Sequence, residues 1–143
     1  MSRATAYLSG VVAVSWAALV VVTAQGAQGA GASTSAGGDQ QARGKALYMD
    51  KCSKCHQESL RGTAEYPPLA GDTFWTNWET YTANNLLEQM RTTMPDDAPG
   101  SLARENYVDI VAYILKMNDV TLTADLPTDA DELKKVILKR DAK

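Results

Sequence analysis

The chain has 143 residues and a formal net charge of −3, with 45% hydrophobic and 22% charged side chains but only one Phe, three Trp and six Tyr. That length bounds it to one small domain. Acids and bases are interspersed, with no basic stripe of the kind a phosphate backbone requires, which argues against nucleic acid as a partner.

Taken from the amino terminus, Arg3 precedes an apolar run from Leu8 to Ala24, and small residues then crowd the stretch up to Ala32. This reads as a secretory signal over residues 1–32 with several possible cleavage points, so the folded part is exported to a periplasm. The alternative is an uncleaved anchor, since a run of 17 residues stands at the lower edge of a bilayer span. Only then would the protein associate with a membrane. Residues 33–41 are small and polar and read as a flexible leader. About 110 residues remain to fold, which implies a thin core.

A helical pattern begins near Ala42, carried by Ala46, Leu47 and Met49, and runs into Cys52. Glu58 to Gly71 holds two Gly and two Pro without a sustained period and reads as loop. Thr73 to Trp78 is short and aromatic, one helical turn or an extended link. Asn84 to Thr92 places Leu86, Leu87 and Met90 at helical spacing, with Asn84 or Asn85 as the cap. Pro95 and Pro99 end that helix. Ser101 is then expected to cap the clearest helix in the chain, in which Tyr107, Ile110, Val111, Ile114 and Leu115 share a face. Asn118 and Asp119 close it. In the tail, Thr128 to Leu138 reads as a short amphipathic turn with Leu133, Val136 and Ile137 on one face. Nothing alternates with period two, so the fold class is all-α.

Both cysteines and the only histidine fall in one five-residue run, Cys52-Ser53-Lys54-Cys55-His56. This is the spacing of a c-type haem attachment site. Two thiols one helical turn apart can each add to a vinyl group on one porphyrin edge, and the next imidazole then lies under the iron. Zinc would need a fourth ligand, and no further Cys or His exists. A redox dithiol is normally set in a βαβ context, and none is evident. A plain disulfide would leave His56 without a role.

With no second histidine, the other axial ligand is sought among the methionines. Met1 leaves with the signal, Met49 stands three residues before Cys52, Met117 belongs to the strong terminal helix, and Met90 occupies a packing position. Met94 follows its helix in chain held open by Pro95, 38 residues beyond His56, and is the first choice, with Met90 second. The carbonyl of Pro68 is the candidate acceptor for the other imidazole nitrogen, because the stiff Pro67-Pro68-Leu69 segment follows His56 by about a dozen residues.

In combination these residues resemble a class I cytochrome c. Gly44 and Tyr48 match the positions by which the first helix of that family meets the last, and Ile110 and Tyr113 match the contact pair on the last helix. Pro68, Leu69 and Gly71 match the loop beyond the proximal histidine, and Met94-Pro95 matches the distal ligand. The resemblance implies a cytochrome c fold over residues 42–120, three to four helices wrapped around one covalently bound haem c, with a short carboxy-terminal extension over 121–143. It also implies a close helix crossing at Gly44.

WTNWETYTANNLLEQMRTTMP, YVDIVAYILKMN and ADLPTDADELKKVIL are further similar to periplasmic cytochromes and cytochrome domains that serve quinoprotein alcohol dehydrogenases, although Thr121 to Ala124 departs from the turn found there. The function implied is one-electron transfer without catalysis, between redox partner proteins that include a quinoprotein dehydrogenase and a terminal oxidase of a respiratory chain. The alternative is a haem enzyme or gas sensor with an open sixth position, for which the sequence offers no distal histidine. Tyr48, Trp75, Trp78 and Tyr113 either line the haem pocket or serve as ordinary core aromatics.

Overall fold

The structure, a computed structural model, describes residues 38–140; the expected signal and the first part of the leader lie outside the described residues. Six helical segments follow in order: α1 (Gly38–Lys51), α2 (Ser53–His56), α3 (Asp72–Trp78), α4 (Ala83–Thr93), α5 (Arg104–Met117) and α6 (Ala130–Leu133). Among the described residues there is no strand, only an isolated antiparallel bridge between Thr82 and Ile137. The all-α expectation therefore holds.

The leader was expected to run to Gln41, but residues 38–41 form the first turn of α1. Their place is set by tertiary packing rather than hydropathy: Gln40, Gly44 and Tyr48 recur every fourth residue and are buried together, while Ala46 is exposed. A glutamine and a glycine carry no hydrophobic signal. The face they form meets α5, the most extensive pairing of helices among the described residues.

In α5, every residue from Tyr107 to Leu115 is buried, so this helix is surrounded by the rest of the fold. It begins two residues later than the Ser101 cap requires. Its cap is Ala103, which offers no side-chain hydrogen bond, and the Ser101 amide is instead engaged by the Ala98 carbonyl in a preceding turn. Its end matches expectation. Asp119 takes a left-handed conformation (φ 62°), the Val120 amide donates to the Leu115 carbonyl at 3.0 Å, and the Asp119 amide donates to that of Lys116 at 3.1 Å. This pattern satisfies carbonyls that the helix end would otherwise orphan.

α4 buries Ala83, Leu86, Leu87 and Met90, an i, i+3, i+4, i+7 stripe. Each of its large apolar side chains contributes on the order of 2 kcal/mol by leaving water. The cap is Thr82 rather than Asn84 or Asn85. Its hydroxyl accepts from the Asn85 amide at 3.1 Å, and the Asn85 side chain accepts from the Thr82 amide at 3.0 Å. Met94 is extended ahead of Pro95, which stops the helix as the sequence suggests.

Thr73 to Trp78 takes the helical alternative, in a helix of seven residues rather than one turn, which buries Phe74 and Trp75. In the tail, Leu126, Leu133 and Leu138 are buried, whereas Ile137 is 53% exposed. The face expected from Leu133, Val136 and Ile137 is therefore displaced by one residue at its end. α6 stops at Leu133, and the following chain pairs in extended form with Thr80–Ala83, which turns alternate residues outward.

Candidate metal centre

α1 ends at Lys51, and Cys52 begins the single turn of α2 that carries Cys55 and His56. Both thiols are unbridged and half-buried, which removes the disulfide reading. Burial, with Asp50 and Cys55 adding to it, pushes the Cys52 thiol up to about 11. A thiol so disposed is a poor thiolate at neutral pH. Among the described residues, no group of three or more His, Cys, Asp or Glu side chains is arranged to hold a metal ion.

His56 is 5% exposed, and its Nδ1 donates to the Pro67 carbonyl at 2.8 Å. Since a carbonyl only accepts, the Nδ1 proton is committed, and in the neutral imidazole Nε2 keeps a lone pair for a metal. The acceptor had been expected one residue on, at Pro68. The correction follows from the peptide group itself: the missing N–H of Pro68 and the carbonyl of Pro67 belong to the same tertiary amide, so the free acceptor precedes the second proline ring.

Several residues hold this arrangement. The Tyr48 hydroxyl donates to the Gln57 carbonyl at 2.6 Å, and the Gly62 amide donates to the His56 carbonyl at 3.0 Å. Gly62 has φ +63°, and a Cβ there would strike the Tyr66 carbonyl and come within 2.7 Å of the Pro67 carbonyl carbon. A glycine is thus required where the loop folds back on the acceptor. Tyr66 stands edge-on to the imidazole with ring centroids 6.3 Å apart, and the adjoining Cys55 thiol raises its phenol pKa. Asn118, at the end of α5, donates to the Leu69 and Ile114 carbonyls and accepts from the Gly71 amide. It fastens the far end of the same loop. Neither Gly62 nor Asn118 stands out by residue type, and the only local signal was a glycine in a loop without period.

Met94 is half-buried at the C-cap of α4. Its amide donates to the Met90 carbonyl at 2.7 Å, and its own carbonyl accepts from the Tyr107 hydroxyl at 2.7 Å. The main chain at Met94 is thereby tied to α5. Met90 lies within the packed face of α4, and Met117 is 40% exposed. The loop after Met94 is electrostatically close to the cysteine motif. Asp50 is the first cause of the raised Lys51 pKa and Asp97 a further one, while Asp96 adds to the effect of Cys55 on Tyr66.

The aromatic candidates divide. Tyr48 and Tyr113 pack on each other between α1 and α5 with centroids 5.4 Å apart. Trp75 packs on Phe74, with the Arg140 guanidinium 5.7 Å above its ring, and Trp78 meets the exposed Tyr81. The donor set therefore fits a covalently held haem: two available thiols one turn apart, followed by a buried imidazole with its outer nitrogen already occupied.

Residues 39–114 match the family described as "Cytochrome C oxidase, cbb3-type, subunit III". A thiosulfate dehydrogenase of Psychrobacter arcticus is 36% identical over 80 residues, covering 49% of this chain and 24% of that protein. The chain thus spans less than two thirds of that relative's length. No solved structure gives a significant match.

Proposed function

The chain belongs to this cytochrome c family, and from that membership we propose that it is a one-electron carrier with a single haem c, attached through Cys52 and Cys55 and ligated by His56 and Met94. Domains of this family bind haem c and serve electron transfer. The haem supplies the couple between ferric and ferrous iron. The observation that carries the reading is the His56 Nδ1 hydrogen bond to Pro67, beside two unbridged thiols.

In this reading each residue has a distinct task. Cys52 and Cys55 tether the macrocycle as thioethers. His56 presents Nε2, and the Pro67 carbonyl fixes the ring plane and increases the imidazole's electron donation. Met94 offers a thioether sulfur, which favours the ferrous state. The buried residues of α4 and α5 exclude water. With both axial positions filled by side chains, no substrate reaches the iron, so the protein is a carrier rather than an enzyme.

The donor is a dehydrogenase and the acceptor a terminal oxidase. The resemblance to cytochromes of quinoprotein alcohol dehydrogenases supports a dehydrogenase, as does the name of the Psychrobacter relative. Exchange takes place in the periplasm, after export by the amino-terminal segment.

Redox titration of the haem-loaded protein and its Met94→Leu variant tests this. The expected fall in potential is on the order of 0.1 V. The reduced wild type should bind carbon monoxide poorly and the variant readily. An unchanged potential removes Met94 as ligand, and fast carbon monoxide binding by the wild type favours the enzyme or sensor reading.

A further inference from the structure

The carboxy-terminal extension lies beyond the residues matched to the family, yet residues 126–138 of it are bound to the core. At one end, the buried Gln40 of α1 donates to the Leu126 carbonyl at 3.0 Å and accepts from the Leu126 amide at 2.7 Å. At the other, the extension pairs with the chain leading into α4. The Thr80 amide donates to the Leu138 carbonyl at 2.9 Å, the Leu138 amide to that of Tyr81 at 2.7 Å, and the Ala83 amide to that of Val136 at 2.8 Å. Between these anchor points, Leu133 is 1% exposed.

One side chain joins the extension to the middle of α4. Arg104, in the first turn of α5, donates from Nε to the Thr128 carbonyl at 2.7 Å and from Nη1 to Glu88 at 2.8 Å, with Nη2 3.4 Å from the Asn84 side chain. Its guanidinium spends separate donors on the extension and on α4, which a single ammonium could not do in the same geometry. α4 is thus held at its start by residues 136–138, at its middle by Arg104, and at its end by the Tyr107 hydroxyl on Met94.

We propose that residues 126–138, fastened through Arg104, form a latch that holds α4 and so sets how firmly Met94 stays on the iron. The inference rests on Met94 being the distal ligand. Arg104 is then a positioning residue: it touches neither haem nor ligand, and acts through the helix that ends in Met94. An added ligand reaches the iron only from the fraction of molecules in which α4 has moved Met94 away, and its apparent affinity scales with that fraction.

The test uses the haem-loaded ferric protein in buffer where it is fully folded. Imidazole is titrated in, and the loss of the iron–thioether charge-transfer absorption is followed. Removing the charge-assisted bonds in Arg104→Gln should increase the apparent imidazole affinity about tenfold. Arg104→Lys, which keeps the charge but not the forked geometry, should fall between the two and serves if the glutamine variant does not fold. Lys135→Ala, on the exposed side of the same extension, should bind imidazole as the wild type does.

Arg104 variants that lower the unfolding midpoint while leaving imidazole affinity unchanged overturn the latch. If Met94→Ala binds imidazole no more tightly than the wild type, Met94 is not the ligand and both readings fall. If Met94→Ala binds it more tightly and the Arg104 variants do not, the latch alone is wrong.

Discussion

Gly44 lies so close to the main chain of Asp109 that a methyl group at position 44 would overlap the Asp109 carbonyl. The neighbouring Arg43 reaches across the same crossing to hold both carboxylate oxygens of Asp109, at 2.8 and 3.1 Å. Backbone meets backbone here, so no flexible side chain can yield. Gly44→Ala should therefore lose about 3 kcal/mol through overpacking, outweighing the roughly 1 kcal/mol that alanine gains in helix propensity. Urea unfolding measures it as a lower midpoint at unchanged slope. A wild-type midpoint would contradict the crossing.

Gln40 satisfies both polar groups of the Leu126 peptide within the core. Gln40→Ala should leave a buried N–H and a buried C=O without partners, at a cost of about 2 kcal/mol. Hydrogen exchange at the Leu126 amide should accelerate accordingly. If that amide stays as protected as in the wild type, the two groups have other partners.

Gly62→Ala should disturb the proximal side. The substitution strains a left-handed backbone by about 1–2 kcal/mol and pushes a methyl group toward the Pro67 carbonyl. The His56 Nδ1 proton should then exchange faster with solvent, as followed by its imidazole NMR resonance. No change in that exchange would mean that Gly62 does not position the acceptor.

Arg104, and to a lesser degree Arg91, holds the Glu88 carboxyl below the usual glutamate range. A depressed native pKa contributes stability above the unfolded value, and that contribution is lost as pH falls through the native value. Glu88→Gln should thus be less stable than the wild type at neutral pH, with the two converging below about pH 4. Because Glu88 is 36% exposed, solvent screening keeps the difference under about 1 kcal/mol. Urea midpoints across the acid range would show the convergence, and parallel curves would count against the pairing.

What could be read from the amino acids depended on how local its cause was. The Cys52–His56 run, the α4 stripe of Leu86, Leu87 and Met90, and the closing of α5 at Asn118 and Asp119 are each specified within a few residues of sequence. The start of α1 was missed because Gln40 and Gly44 are buried by what α5 and Leu126 present to them, not by their own hydropathy. The Ser101 cap failed for a related reason, since the turn from Pro95 to Ser101 uses that segment first. The Pro67 acceptor was misplaced by one residue because composition identifies a stiff segment without saying which carbonyl faces the ring. Asn118 was seen as a helix stop, but its two hydrogen bonds to the loop depend on contacts 47 and 49 residues away in sequence.

The pairing of α1 with α5 also dictates an order of events in a growing chain. Arg43 and Asp109 are 66 residues apart, and long closures of this kind must be completed before their contacts can stabilise anything. Until α5 has emerged, α1 has no surface to cover Tyr48, and the cysteine turn that follows it stays accessible. The motif is thus open to chemical modification before α5 arrives, and its two thiols remain half-buried in the finished fold.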